Sequence, residues 1–259
     1  MNIVAALAGV VLKELYRRKD FYVLFALTAV ITLAAAGMNF FHDDRIVRYV
    51  KDVALLLIWA SALLVGVGAA ARQIPAEREN RTIFPLLAKP VTRAHVVLGK
   101  FAGCWLVCGA ALITFYLFFG VVSAAREHQF PSPVFFEGIW LQWLMLGIVV
   151  ALVLFGSVVF TAPSSNATIC VILVLGILFL GGNLNKVALQ QPEPLRTIVY
   201  ILYFLIPHLE WYDIRDLLVY NVNKLTALDL ILTTLYALLY ISFLLFATWL
   251  RFRRKALSV

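Results

Sequence analysis

What most constrains this chain is the length of its uninterrupted apolar runs. Six of them, at about residues 21–38, 53–71, 97–122, 136–161, 168–182 and 228–250, hold few charges and approach or exceed the length of a membrane crossing. An α-helix rises 1.5 Å per residue, so roughly 20 apolar residues cover a hydrocarbon core of about 30 Å. In that medium every backbone N–H and C=O must be satisfied inside the protein, which leaves helices as the structure for such runs. Composition agrees: 63% of the 259 residues are hydrophobic and 14% charged, with a mean hydropathy of +0.92, against roughly 45–50% and 25% in soluble domains. The expected fold class is all-α, a polytopic membrane protein with residues 1–259 as a single transmembrane domain of six spans.

The net charge of +8 does not point to nucleic acid, because the basic residues cluster beside the apolar runs, which is the topology signal of membrane proteins. Residues 3–19 pair an apolar run with Lys13, Arg17, Arg18 and Lys19 behind it. A secretory signal carries its charge in front, so this segment reads as an interfacial elbow helix leading into the first span. With six spans both termini share a side. That side collects 14 of the 22 Lys and Arg residues: four at the N-terminus, six in Arg72–Lys100, none in the turn at APSSNA and four after Leu250. The positive-inside rule then places both termini and Arg72–Lys100 in the cytoplasm. The 183–227 segment lies outside, with Ile198–Ile206 as a re-entrant or interfacial helix. Its nine residues are too few for a crossing, and a seventh crossing would put the Arg-rich tail on the wrong side.

Arg72–Lys100 is unusual for a solvated loop. Ile74, Ile83, Phe84, Leu86, Leu87 and Val91 are interleaved with its charges, and an exposed apolar surface of that kind marks a partner or the lipid headgroups. Pro75 suits a first helical position, with Glu77 and Glu79 in the first turn where a helix dipole favours acids. Thr92 is a plausible N-cap for the helix entering the third span. The segment therefore reads as helix, break, helix. Gly99 and Gly103 form a small-xxx-small pair that admits close approach of another helix.

This order of elements, with ERENRTIFPLLAKPVTRAHVVLGKFAG after the second span, resembles the permease subunits of type-2 ABC exporters, the ABC-2 family. The residues that carry the resemblance are Glu77, Arg78, Glu79, Thr82, Leu86, Leu87, Pro90, Val91, Arg93, Gly99 and Lys100, together with the elbow KELYRRKDFY. Pro85 departs from a pattern that usually continues a helix there. The resemblance implies a cytoplasmic coupling element over 72–96, docked in a groove of a separate ABC ATPase through Glu77, Arg78, Glu79, Thr82, Phe84, Leu86, Leu87, Pro90 and Arg93. It further implies two ATPase copies, a second permease copy in a homodimer or heterodimer, and the inner membrane of a bacterium.

The chain itself offers no chemistry. G-x-x-x-x-G-K-[ST] is absent, since Gly99-Lys100 is followed by Phe101, so ATP and Mg²⁺ are expected on the partner and no cofactor or metal on this chain. The four His residues are scattered, no H-E-x-x-H or G-x-S-x-G occurs, and Cys104, Cys108 and Cys170 read as small buried hydrophobes. His42, Asp43 and Asp44 read as a solvated turn rather than a metal site. The clear spans hold no central Asp or Glu, which argues against a proton-coupled carrier; Glu137 and Asp229 sit at span ends. Phe115, Tyr116, Phe119, Trp140 and Trp143 would line an aromatic substrate path if they face inward, or an interfacial belt if they do not. The expected function is the permease subunit of an ATP-driven exporter, not an enzyme. The alternative is a membrane scaffold or assembly subunit that recruits an ATPase without exporting a solute.

Overall fold

The computed structural model describes residues 3–16, 19–37, 44–79, 92–127, 134–213, 215–220 and 225–254, and the regular structure among them is entirely helical. The elements are α1 (Ile3–Tyr16), α2 (Lys19–Gly37), α3 (Asp44–Ala71), the short α4 (Pro75–Glu79), α5 (Arg93–Glu127), α6 (Val134–Val159), α7 (Pro163–Gln190) and α8 (Leu195–Leu205). A 3-10 turn (Leu209–Tyr212), α9 (Arg215–Tyr220) and α10 (Ala227–Arg254) complete the chain. Among the described residues, Lys51–Glu79, Arg93–Ala124, Val134–Val159, Pro163–Leu184 and Ala227–Arg254 form five helices long and apolar enough to cross a membrane, and Tyr22–Leu33 adds a shorter apolar helix.

α6 forms the centre. It is apolar on every side, the pattern of a helix surrounded by other helices, and from Leu144 to Leu154 only Leu152 escapes full burial. α3, α5, α7 and α10 pack around it. The α5–α6 contact is fixed by two exchanged tryptophans: Trp105 Nε1 donates to the Trp143 carbonyl and Trp143 Nε1 to the Trp105 carbonyl, both at 2.9 Å. The two rings stack at 4.4 Å. Each indole lies where the opposite helix carries glycine, since a Cβ on Gly109 would meet Trp143 Nε1 at 2.8 Å and one on Gly147 would meet Trp105 Nε1 at 2.9 Å.

The long helices alternate in direction, so the C-termini of α3, α6 and α10 meet the N-termini of α5 and α7 at one end. We call it the basic end, after Arg72, Arg93, Lys100, Arg251, Arg253 and Arg254. α1 runs beside the first half of α5 in the same direction. Leu7 sits over Gly99 and Val11 over Gly103, where added Cβ atoms would lie 2.6 and 2.7 Å from the Cβ atoms of those residues. The neighbour admitted by the glycine pair is thus α1, which buries Ala8 and Val11 against α5.

Several helices outrun their apolar stretches, because hydropathy reports what lipid tolerates and the backbone stops only where a residue stops it. α3 begins at Asp44, ahead of the run at 53–71. α7 starts at Pro163, a residue pre-organised for a first helical position, so the turn shrinks to Phe160, Thr161 and Ala162. It then continues past Gly182 to Gln190 and ends just before Pro192. α8 spans Leu195–Leu205, and Ile206 leaves the helical region because Pro207 follows. α8 packs on α7 and buries none of its own residues.

The return from α8 to α10 is built into the bundle. Leu209 and Tyr212 of the 3-10 turn join the core. Tyr212 Oη donates to the Thr233 carbonyl at 3.0 Å, and burial pushes its phenol pKa up, which keeps that proton in place. The His208 N–H donates to Tyr236 Oη at 3.0 Å, while His208 Nδ1 lies 3.0 Å from Glu210 Oε1.

Candidate functional site

The basic end is assembled from the residues that connect α3 to α5. Leaving α3, the chain turns through Arg72, Gln73 and Ile74 and re-enters helix at Pro75. Ile74 anchors the turn in a small apolar cluster with Val97, Val158 and Phe252, one residue each from the linker, α5, α6 and α10. The turn closes with Ala76 N–H donating to the Arg72 carbonyl at 3.0 Å and Arg78 N–H to the Ile74 carbonyl at 3.1 Å. Glu77 falls in the first turn of α4 and Glu79 at its exposed end.

Lys100, one turn into the apolar part of α5, holds α4 in place. It is 4% exposed, and its Nζ lies 2.6 Å from Glu77 Oε1 and 3.0 Å from Gln73 Oε1. Gln73 in turn donates from Nε2 to the Ala69 carbonyl of α3 at 3.3 Å. A buried ammonium is tolerated only when paired and hydrogen-bonded, and here both its partners come from the segment between α3 and α5. The α4 segment is therefore tied to α5 by charge and to α3 by hydrogen bonding.

Two further braces meet at this end. Arg93, the first residue of α5, donates from one guanidinium nitrogen to the carbonyls of Phe252 and Arg253, the latter at 3.0 Å. Its guanidinium carbon lies 5.4 Å from the centroid of the Phe252 ring. The last carbonyls of a helix lack intrahelical donors and form the negative end of its dipole, so the cation on α5 closes α10. Asn166, in the first turn of α7 and fully buried, donates from Nδ2 to the Ala71 carbonyl at 3.3 Å and to the Val153 carbonyl at 3.2 Å. One amide thus joins α3, α6 and α7. The start of α5 is capped as the sequence implies: Thr92 Oγ1 accepts from the His95 N–H at 3.3 Å, and the Thr92 N–H reaches back to His95 Nδ1 at 3.4 Å. It is a capping box with histidine in the place of glutamate.

Of the residues expected to contact an ATPase, Glu77, Arg78, Glu79 and Arg93 lie at the basic end, while Thr82, Phe84, Leu86, Leu87 and Pro90 lie outside the described residues. Of those expected along a substrate path, Phe115 is fully buried with its ring 5.6 Å from Phe25. Tyr116 Oη donates to Gln142 Oε1 at 2.8 Å. Phe119 stacks on Phe135 at 5.7 Å, and Trp143 belongs to the tryptophan exchange. Trp140 is open to the surface of the chain. Sequence reading missed Gln73 and Asn166, which look like turn residues, and the Asp213–Arg215 pair. Arg215 bonds Asp213 with two guanidinium nitrogens at 2.8 and 2.6 Å and lies 5.6 Å over the Trp59 ring, fastening α9 to α3. No group of three or more His, Cys, Asp or Glu that could hold a metal ion occurs among the described residues.

Five crossing-length helices, four of them packed around α6 and sharing with it a charged, cross-braced end, define a multi-pass membrane protein. Residues 11–257 match the family described as ABC-2 family transporter protein, and the chain belongs to that family. Membership makes it a permease-type membrane protein that works with an ABC ATPase in general terms. A comparison with curated proteins finds no match.

Proposed function

We propose that this chain is the membrane-spanning subunit of an ATP-driven exporter, acting as a dimer with a second permease copy and two copies of a separate ATPase. In this reading α2 is the first of six crossings, both termini and the basic end face the cytoplasm of a bacterial cell, and α1 is the elbow. The element over 72–96 couples to the ATPase, which binds ATP and Mg²⁺; the present chain performs no catalysis. The observation that carries the reading is the burial of Lys100 against Glu77 and Gln73. A displacement of α4 by a partner would be transmitted to α3 and α5 directly. Through Asn166 and the Arg93–Phe252 contact it would reach α6, α7 and α10.

α8 and the 3-10 turn, keyed to α10 through Tyr212 and Tyr236, would form the outer gate. The path for substrate would follow the side of α6 where Trp140 is open, with Trp143 backing its wall, while Phe115, Tyr116 and Phe119 pack on other faces of the bundle. The test is charge reversal of Glu79, the exposed acid of α4, to Lys, which leaves the buried Lys100–Glu77 pair intact. The variant should insert normally yet fail to co-purify with the ATPase, or hydrolyse ATP without transport. Unchanged association and coupling would remove the claim.

A further inference from the structure

Three buried polar atoms, Trp59 Nε1, Gln142 Nε2 and Glu210 Oε2, find no hydrogen-bond partner among the described residues. They belong to different elements, yet all three gather where the 3-10 turn and α9 close over the bundle. α3 and α6 run in one direction, and a Cβ on Gly66 would meet Leu146 and Val150; two turns back along both helices, Trp59 comes level with Gln142. Gln142 is 4% exposed, and its Oε1 accepts the Tyr116 hydroxyl at 2.8 Å. That bond uses the amide oxygen and leaves Nε2 without an acceptor.

α9 packs on both α3 and α6, and the 3-10 turn packs on α6. The Arg215 guanidinium carbon lies 5.6 Å from the centroid of the Trp59 ring, a contact with the ring face that gives the indole N–H no acceptor. On the 3-10 turn, Glu210 Oε1 lies 3.0 Å from His208 Nδ1. Its Oε2 presses on the bare backbone of α7, where a Cβ on Gly181 would lie 2.5 Å from it.

A buried donor or acceptor with no partner carries the full penalty of leaving water. Here that penalty falls on one conformation. With the turn and α9 against the helices, the three atoms are shut from water; once these elements lift, water reaches them. What holds the elements down is mainly apolar: Leu209, Tyr212 and Val219 join the core. The Tyr212 hydroxyl bond to the Thr233 carbonyl and the anchoring of Arg215 to Asp213 and Trp59 add to this.

We propose that the 3-10 turn and α9 form a lid poised to open, and that the unpaired atoms of Trp59, Gln142 and Glu210 set how readily it lifts. Its service as an outer gate rests on the transport reading, whereas the lid itself rests on these contacts. The test uses neither ATP nor the ATPase, so failure of the lid leaves the coupling claim standing, and failure of coupling leaves the lid standing.

Val219→Cys places a thiol on α9 at a position 8% exposed, while native Cys108, fully buried between the spans, reports unfolding of the bundle. The full chain in nanodiscs is treated with a charged maleimide, and modification at each position is followed by mass spectrometry. Position 219 should react slowly and Cys108 not at all over the same period. Replacing Trp59 with its benzothiophene analogue, in which sulfur takes the place of the N–H, should slow the reaction at 219 by roughly threefold to tenfold. Gln142→Met combined with Tyr116→Phe, which removes the unpaired amide and the hydroxyl bonded to it together, should do the same. Arg215→Met, which frees α9 from Asp213 and Trp59, should speed it. An unchanged or faster reaction in the Trp59 analogue or in the Gln142 and Tyr116 double variant overturns the proposal. Reaction of Cys108 in step with position 219 also overturns it, because the opening would then be unfolding of the whole bundle.

Discussion

Replacing Lys100 with Met keeps the length and packing of the side chain and removes its charge. Lys100 is 4% exposed and its Nζ lies 2.6 Å from Glu77 Oε1, and breaking a buried ion pair from one side costs about 3–5 kcal/mol. Glu77 retains 22% side-chain exposure and regains water, which brings the expected loss to roughly 2–3 kcal/mol. A part of it is the hydrogen bond to Gln73, itself buried. Lys100→Met, Glu77→Gln and the double variant form a cycle that isolates the pair, with an expected coupling of about 1–3 kcal/mol measured by denaturant titration in detergent. In the assembled transporter, Lys100→Met should also release α4 from α5, so that ATP is hydrolysed at an undiminished or higher rate while transport falls. A coupling energy within about 0.3 kcal/mol of zero, with transport intact, would refute the view that Lys100 holds the coupling element to the spans.

Gly103→Val would place side-chain atoms where Val11 Cβ already lies 2.7 Å from the position a Cβ would take; a cost of about 1–3 kcal/mol is expected, with α1 becoming accessible to protease while α5 and α6 stay protected. Asn166→Ala removes the donor to both the Ala71 and Val153 carbonyls and should destabilise the fold by about 1–3 kcal/mol, read as a lower melting temperature in detergent. Arg93→Met takes the cation from the end of α10, so amide exchange in the last turn before Arg254 should accelerate while the middle of α10 is unaffected.

Much of the fold was legible because the membrane forces helices on long apolar runs, and because Pro207 marks where the run at Ile198–Ile206 stops; Pro163 and Pro192, which bound α7, were not legible as boundaries because the residues beside them read as turn and loop. The charged element after α3 was legible for the opposite reason, as charge beside apolar runs has few explanations. The cross-braces were not legible. Lys100 stands in an apolar run and reads as the tail of a motif; only the tertiary fold brings Gln73 and Glu77 within reach of its ammonium. Asn166 sits in a sequence that reads as a turn, yet its amide serves two carbonyls from helices far away in the chain. The glycine pair at 99 and 103 announced a close neighbour without naming it. Glu137 and Asp229 looked alike in sequence, and the structure sets Asp229 apart as a cap of α10, its Oδ2 accepting the Thr226 N–H at 3.1 Å.

What touches α4 decides whether the basic end is the coupling site. A photo-cross-linking residue placed at Glu79, the exposed end of α4, in the chain assembled with its ATPase should give an ATPase adduct that charge reversal at Glu77 suppresses. The same residue placed at Phe136, exposed in the first turn of α6 at the end opposite the basic one, should give none. An adduct from Phe136 and not from Glu79, or none from Glu79 in an active complex, would contradict the assignment of the basic end as the coupling site.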